Sequence, residues 1–159
     1  MAHIWIVAVG RMRQRSLARV METYLDRTAR LGLPVRVVEV REGGPARGDV
    51  DPATVVKEEG RRLQRVSLPS RLWRVALDQR GWLPEGSQVF AHWLEQRLAT
   101  ADVAVFVGGA GGLDAELVAR CDERLSLSPL TMAHELARLV LAEQLYRAAT
   151  LWRGVRYPK

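Results

Sequence analysis

Two hydrophobic rhythms alternate along this chain. Short unbroken apolar runs give way to longer stretches in which apolar residues return every three or four positions. His3–Val9 is the first run and reads as a buried strand that halts at Gly10. Leu17, Val20, Met21, Tyr24, Leu25, Thr28 and Leu31 then mark one face of a helix, which Gly32 and Pro34 end. Val35–Val40 is a second predicted strand, and the Gly- and Pro-rich residues 41–51 read as a mobile loop. Asp51-Pro52 supplies an N-cap and first turn for a helix through Arg65. Leu72–Leu77 predicts the third strand. Ser87 opens a helix with Val89, Phe90, Trp93, Leu94 and Leu98 on one face. Val103–Val107 is the fourth strand, followed by a short helix from Asp114 to Cys121, a short strand Leu125–Leu127, and a long amphipathic helix from His134 to Thr150.

Strands alternating with helices imply the α/β class, with a mostly parallel sheet covered by helices on both faces. No repeat, low-complexity stretch or linker divides residues 1–159, so a single domain is expected. Ligands of such sheets bind beyond the carboxyl ends of the strands. Leu77-Asp78, Gly108-Gly109 and Ser128–Met132 all follow predicted strand ends and should share one edge. The run Gly108-Gly109-Ala110-Gly111-Gly112 is the strongest of these signals. Bare backbone lets main-chain groups approach a ligand with no side chain in the way.

Composition narrows the chemistry. With 24 Lys and Arg against 18 Asp and Glu, the formal net charge is +6. Such a balance suits nucleic acid, an anionic membrane surface or plain solubility, so placement matters more. Arg11, Arg13 and Arg15 cluster after the first strand; Arg147, Arg153, Arg156 and Lys159 crowd the far end, where no acid follows Glu143. No apolar run reaches membrane-spanning length and no signal-peptide layout opens the chain, which makes the cytoplasm the expected compartment. The single Cys121 has no internal disulfide partner and reads as a small core residue.

A dinucleotide site needs GxGxxG after the first strand, but Val9-Gly10-Arg11-Met12 offers one glycine. There is no GxxxxGK[ST] phosphate loop, no GxSxG elbow and, with three scattered histidines, no metal-ligand spacing. What remains is a backbone-lined pocket for a neutral or cationic small molecule.

An ordered set of motifs then stands out: Leu77-Asp78-x-x-Gly81, Val107-Gly108-Gly109-x-x-Gly112-Leu113, Leu125-Ser-x-Ser128, Thr131-x-x-His134, and Arg138-x-x-x-x-Glu143-Gln-x-Tyr146-Arg147-Ala148. In order and spacing this set resembles the RlmH family across essentially the whole chain. These are SPOUT-class methyltransferases that modify N3 of a pseudouridine in 23S ribosomal RNA. The resemblance implies a SPOUT fold whose C-terminal segment forms a deep trefoil knot, an exception to unknotted topology. It also implies S-adenosyl-L-methionine as cofactor, with S-adenosylhomocysteine as product. By residue match the cofactor lies against Leu77, Gly108, Gly109 and the segment Leu127, Ser128, Pro129, Leu130, Thr131 and Met132.

His134 and Arg138 are the candidates for the chemistry at the base. Their rival roles are a cap or phosphate contact for His134, and an ion pair with Glu135 or Glu143 for Arg138. Arg11, Arg138, Arg147, Arg153, Arg156 and Tyr157 are the expected RNA contacts, on 23S rRNA within the ribosome. SPOUT enzymes are typically homodimers; Trp5, Trp93, Trp152 and the stripe Leu136, Leu139, Val140, Glu143, Tyr146 are the expected interface. No metal is expected. Two departures from the family pattern stand out. Pro129 lacks an N–H in the cofactor loop, and the chain ends Tyr157-Pro158-Lys159 where relatives commonly have Tyr-His and a basic residue. The alternatives are a non-catalytic ribosome- or RNA-binding module on the same fold, and an α/β nucleotide-binding enzyme unrelated to RNA.

Overall fold

The computed structural model describes residues 2–44 and 50–157. Strands β1 (Ile4–Val9), β2 (Val35–Val40), β3 (Leu72–Trp82), β4 (Asp102–Val107) and β5 (Glu123–Leu125) form one sheet in the order β2-β1-β4-β3-β5. Every pairing is parallel. The helices are α1 (Arg15–Arg30), α2 (Pro52–Gln64), α3 (Ser87–Leu98), α4 (Ala115–Ala119) and α5 (His134–Arg153).

The unbroken apolar runs are explained by helices on both faces. Ile4, Ile6 and Ala8 of β1, with Val103, Val105 and Val107 of β4, pack against Met21, Phe90, Leu94, Leu141 and Leu145 of α1, α3 and α5. The alternate residues Val7, Val9, Ala104 and Phe106 pack the other way, against Leu63 of α2 and Leu117 of α4. Burying each such aliphatic side chain contributes roughly 1.5–3 kcal/mol, so the centre of the sheet is the best-anchored part of the molecule. Trp93 and Tyr146, expected at an interface, belong to this interior at 8% and 7% exposure.

Element boundaries depart from the sequence pattern in the C-terminal half. β3 does not stop at Leu77. It pairs with β4 only as far as Ala76, then slips against β5, where both Leu77 and Trp82 register with Leu125. Residues 78–81 are the irregularity, and Gly81 is required there, since a Cβ would lie 2.6 Å from the Arg124 carbonyl carbon. β5 falls on Glu123–Leu125 rather than 125–127, because Trp93 Nε1 and Arg97 meet the Glu123 carboxylate and make a charged residue tolerable in a strand. α4 is shorter than its pattern, and α5 runs three residues past Thr150. It ends where Gly154 turns left-handed (φ +62°) and the Val155 N–H reaches back to the Thr150 carbonyl. Among the described residues no helix is long and apolar enough to cross a membrane.

Candidate functional site

Beyond the carboxyl ends of β3, β4 and β5 lies a cavity of about 530 Å³. One wall is the glycine turn. Gly109 and Gly112 bridge each other, the Gly112 N–H bonds the Gly109 carbonyl at 3.0 Å, and Gly112 is left-handed (φ +82°). A Cβ on Gly108 would sit 2.5 Å from the Gly112 carbonyl carbon, so the turn closes only as bare backbone. Glu59 of α2 backs this wall. One of its carboxylate oxygens accepts the Gly43 N–H at 3.1 Å; the other, Oε2, is buried without a partner and lies 3.3 Å from where a Gly109 Cβ would be. Burial pushes the Glu59 carboxyl above its ordinary value. The Gly43 N–H, Arg62 and His134 pull it down, and Glu42 adds to the rise.

The opposite wall is the segment after β5, held by a chain of small polar bonds. The Ser126 hydroxyl donates to the Ser128 carbonyl (3.0 Å), and the Ser128 hydroxyl accepts the Leu130 N–H (2.9 Å). Gln79 clasps the segment from β3: its Nε2 donates to the Pro129 carbonyl (3.1 Å) and its Oε1 accepts from the Thr131 hydroxyl (3.2 Å). Pro129 therefore contributes its carbonyl and needs no N–H. Leu130 stands 75% exposed at the rim.

Leu77, Gly108, Gly109, Leu127, Ser128, Leu130, Thr131, Met132 and His134 all line the cavity; Pro129 does not. Asp78, which the sequence places at this edge without making it a cofactor contact, lines it too, as do Gln79, Leu113, Ala133 and Ala137, which are outside the expected contacts. Asp78 had a signal, its place in the Leu77-Asp78-x-x-Gly81 motif; Gln79 had none. The lining carries no Lys or Arg, one carboxylate (Asp78) and one imidazole (His134). Burial pushes the Asp78 carboxyl up, but the Arg80 N–H and the Arg80 and Arg124 guanidiniums outweigh it and hold Asp78 below the usual carboxylate range.

Arg138 is not at the cavity. It lies on the same buried stripe of α5 as Leu141, Ala142 and Leu145, which points it into the molecule at 1% exposure. Its guanidinium donates to the Gly10 carbonyl at 2.9 Å and pairs with Glu39, rather than with Glu135 or Glu143. Glu135 instead accepts the Arg13 and Gln14 N–H groups. Arg138 and Glu135 thus fasten the loop after β1 to the first turns of α5.

Nor do the other basic candidates converge on the cavity. Arg11 is exposed beside the carboxyl edge. Arg147 pairs with Glu143 at 2.7 Å and covers the Tyr157 ring at 3.8 Å, while the Tyr157 hydroxyl also donates to Glu143. Burial first, then that bond to Glu143, raises the Tyr157 phenol above its ordinary value. Arg153 donates to the Leu31 carbonyl, and Arg156 is exposed. At 1.5 Å per residue, Arg147 lies about 20 Å along α5 from His134. Pro158 and Lys159, and residues 45–49 of the loop expected to be mobile, lie outside the described residues. Cys121 is half-buried, and burial pushes its thiol up to about 11. Among the described residues no group of three His, Cys, Asp or Glu side chains is gathered for a metal ion.

A family model described as "Predicted SPOUT methyltransferase" matches residues 2–157. The chain belongs to the SPOUT methyltransferase family. It is 41% identical over 155 residues to "Ribosomal RNA large subunit methyltransferase H" of Gemmatimonas aurantiaca, covering 97% of each chain. To the protein of the same name from Anaeromyxobacter sp. it is 44% identical over 159 residues, again with 97% of each covered. Among solved structures, a probable methylase family protein from Haemophilus influenzae shares the fold at 12% identity, with a TM-score of 0.52 over 99% of this chain and 72% of that one.

Proposed function

We propose that this SPOUT protein is an S-adenosylmethionine-dependent methyltransferase of large-subunit ribosomal RNA, acting at N3 of a pseudouridine. The observation that carries the reading is the cavity itself: two backbone-rich walls meeting where the family places its donor, on a chain alike end to end to named ribosomal RNA methyltransferases. The residues present fit the donor. The cradle at Gly108 excludes any Cβ, and Leu77, Leu127, Leu130 and Met132 offer apolar faces to an adenine. At about 530 Å³ the volume is that of a small-molecule site. The first strand, ending Val9-Gly10-Arg11-Met12, lacks the GxGxxG turn that seats the pyrophosphate of a dinucleotide.

S-adenosylmethionine, when bound, supplies a methyl group already activated on a sulfonium. The chain's own work is placement and proton handling. Holding two reactants in line contributes as much as roughly 7–11 kcal/mol. A positioned base contributes roughly 3–5 kcal/mol. His134, on the first turn of α5 and at the cavity, is the residue we assign to take the N3 proton. Arg138 supports it indirectly, by seating α5 against the loop after β1.

The C-terminal basic cluster is too far along α5 to serve the cavity of its own subunit, which favours a homodimer in which the partner's cluster approaches the RNA. Arg11, Arg147, Arg153, Arg156 and Tyr157 are the proposed RNA-facing groups, with the assembled ribosome in the cytoplasm as substrate. The trefoil threading of the C-terminal segment belongs to the same reading, supported by the segments after β4 and β5 meeting at one cavity. Calorimetric titration with S-adenosylmethionine and with NAD tests the site: the first should bind and the second should not. Methylation of ribosomes from a strain lacking its own enzyme, read by mass spectrometry, tests the reaction; donor binding without methyl transfer would leave a non-catalytic RNA-binding module.

A further inference from the structure

The cavity has a charge pattern that the donor's binding does not by itself require. Its one carboxylate, Asp78, belongs to the irregular part of β3 beyond Ala76, where the strand has left β4 and slipped against β5. Such an irregularity re-aims side chains, and here it places Asp78 and Gln79 at the cavity. The Asp78 side chain is 12% exposed. Its Oδ1 accepts the Arg80 N–H at 2.9 Å, which fixes its orientation. The Arg80 guanidinium, 3.4 Å away and 82% exposed, and the Arg124 guanidinium hold Asp78 ionised from outside the lining, and solvent screens the exposed Arg80 charge. No cation in the lining opposes it.

We propose that Asp78 is a specificity residue that distinguishes the methyl donor from its spent product by charge. This rests on the reading of the cavity as the donor site. The donor's sulfur bears a positive charge as a sulfonium; once the methyl has left, the product's sulfur is a neutral thioether. The rest of the two molecules is the same. Asp78 lines the cavity, so a sulfonium held there shares one small enclosure with the carboxylate, where solvent screens their attraction less than in open water. Asp78 favours the charged ligand and has no such hold on the neutral one. Fresh donor therefore displaces product, and the carboxylate helps turnover without touching the base.

The test is calorimetric titration of wild type, Asp78→Asn and Asp78→Glu with S-adenosylmethionine, S-adenosylhomocysteine and sinefungin, which carries a protonated amine in place of the sulfonium. Asp78→Asn should weaken the donor and sinefungin about tenfold and the product less than about twofold, while Asp78→Glu keeps the wild-type ratio. Asp78→Ser, whose hydroxyl still accepts the Arg80 N–H, is a second neutral variant should the asparagine disturb the loop, and it should lose the ratio in the same way. Equal losses for donor and product would overturn the proposal, since the carboxylate would then serve a group common to both or only hold the strand. Unchanged binding of all three would overturn it as well. Gly108→Val separates the two levels: if that variant binds the donor normally, the site is elsewhere and the reading beneath the proposal has failed.

Discussion

The two walls of the cavity are built by different physics. The glycine turn is closed by backbone against backbone, with Gly108 pressed onto Gly112 and Glu59 behind Gly109. The segment after β5 is held by hydroxyls and one glutamine, and ends in an exposed leucine. A backbone-packed wall has no second arrangement of similar energy, whereas side-chain clasps worth roughly 0.5–1.5 kcal/mol each open on the timescale of ligand exchange. The first wall is a mould and the second a latch. Damage to the mould should appear as lost binding or stability, and damage to the latch as faster release.

The harshest blow is to the mould. Gly108→Val forces a side chain into the Gly112 backbone, and overpacking of about 3 kcal/mol corresponds to a donor affinity at least ~100-fold weaker. Calorimetry reads the affinity, and circular dichroism should show the fold retained. Next is the seat of the helix that follows the latch. Arg138→Met strands the Gly10 carbonyl and leaves Glu39 without its partner. We expect a loss of about 2–3 kcal/mol in urea denaturation, in the lower range for a buried pair because Glu39 is 37% exposed. Gln79→Ala releases the latch alone: donor affinity should fall about 3–10-fold, almost wholly through a faster off-rate in stopped-flow displacement, with stability changed by less than about 0.5 kcal/mol.

The smallest effect lies behind the mould. Glu59 has its folded pKa raised, so the stability it contributes is present below its unfolded pKa and is lost as pH rises through the folded value. Wild type should therefore lose stability as pH climbs upward from about 4.5. Glu59→Gln cannot ionise and should flatten that slope in denaturation curves measured at several pH values, without altering the donor off-rate. A changed off-rate would mean that the first wall also moves.

Much of the mould was legible in the sequence. An apolar run that stops at four glycines in five positions specifies a strand and a bare turn by local chemistry alone. The latch was legible only as a segment. Pro129 and Thr131 stand out in the sequence, but their partner Gln79 is 52 residues from Thr131 and its stretch, Asp78-Gln79-Arg80-Gly81, carries the polar signature of a turn. Pairing with β5 overrides that signature and continues the strand. Arg138 was misplaced because an arginine on a helix reads as a surface or reactive group. Its partner Glu39 is 99 residues away, and only the fold reveals that the stripe it occupies faces inward. Glu59 sits in the run Lys57-Glu58-Glu59, indistinguishable in one dimension from a solvated face.

The central pairing of the sheet also sets an order of assembly. Ile4 is registered against Val103, so β1 emerges during synthesis with only β2 at hand and waits for its other neighbour until roughly two thirds of the chain has been made. Until then one edge of the most apolar strand stays open, a site where nascent chains associate wrongly. Distant parallel pairing belongs to the slow end of folding. The molecule's best-anchored strands thus pair late, and the interval before β4 is made is when it most needs a chaperone.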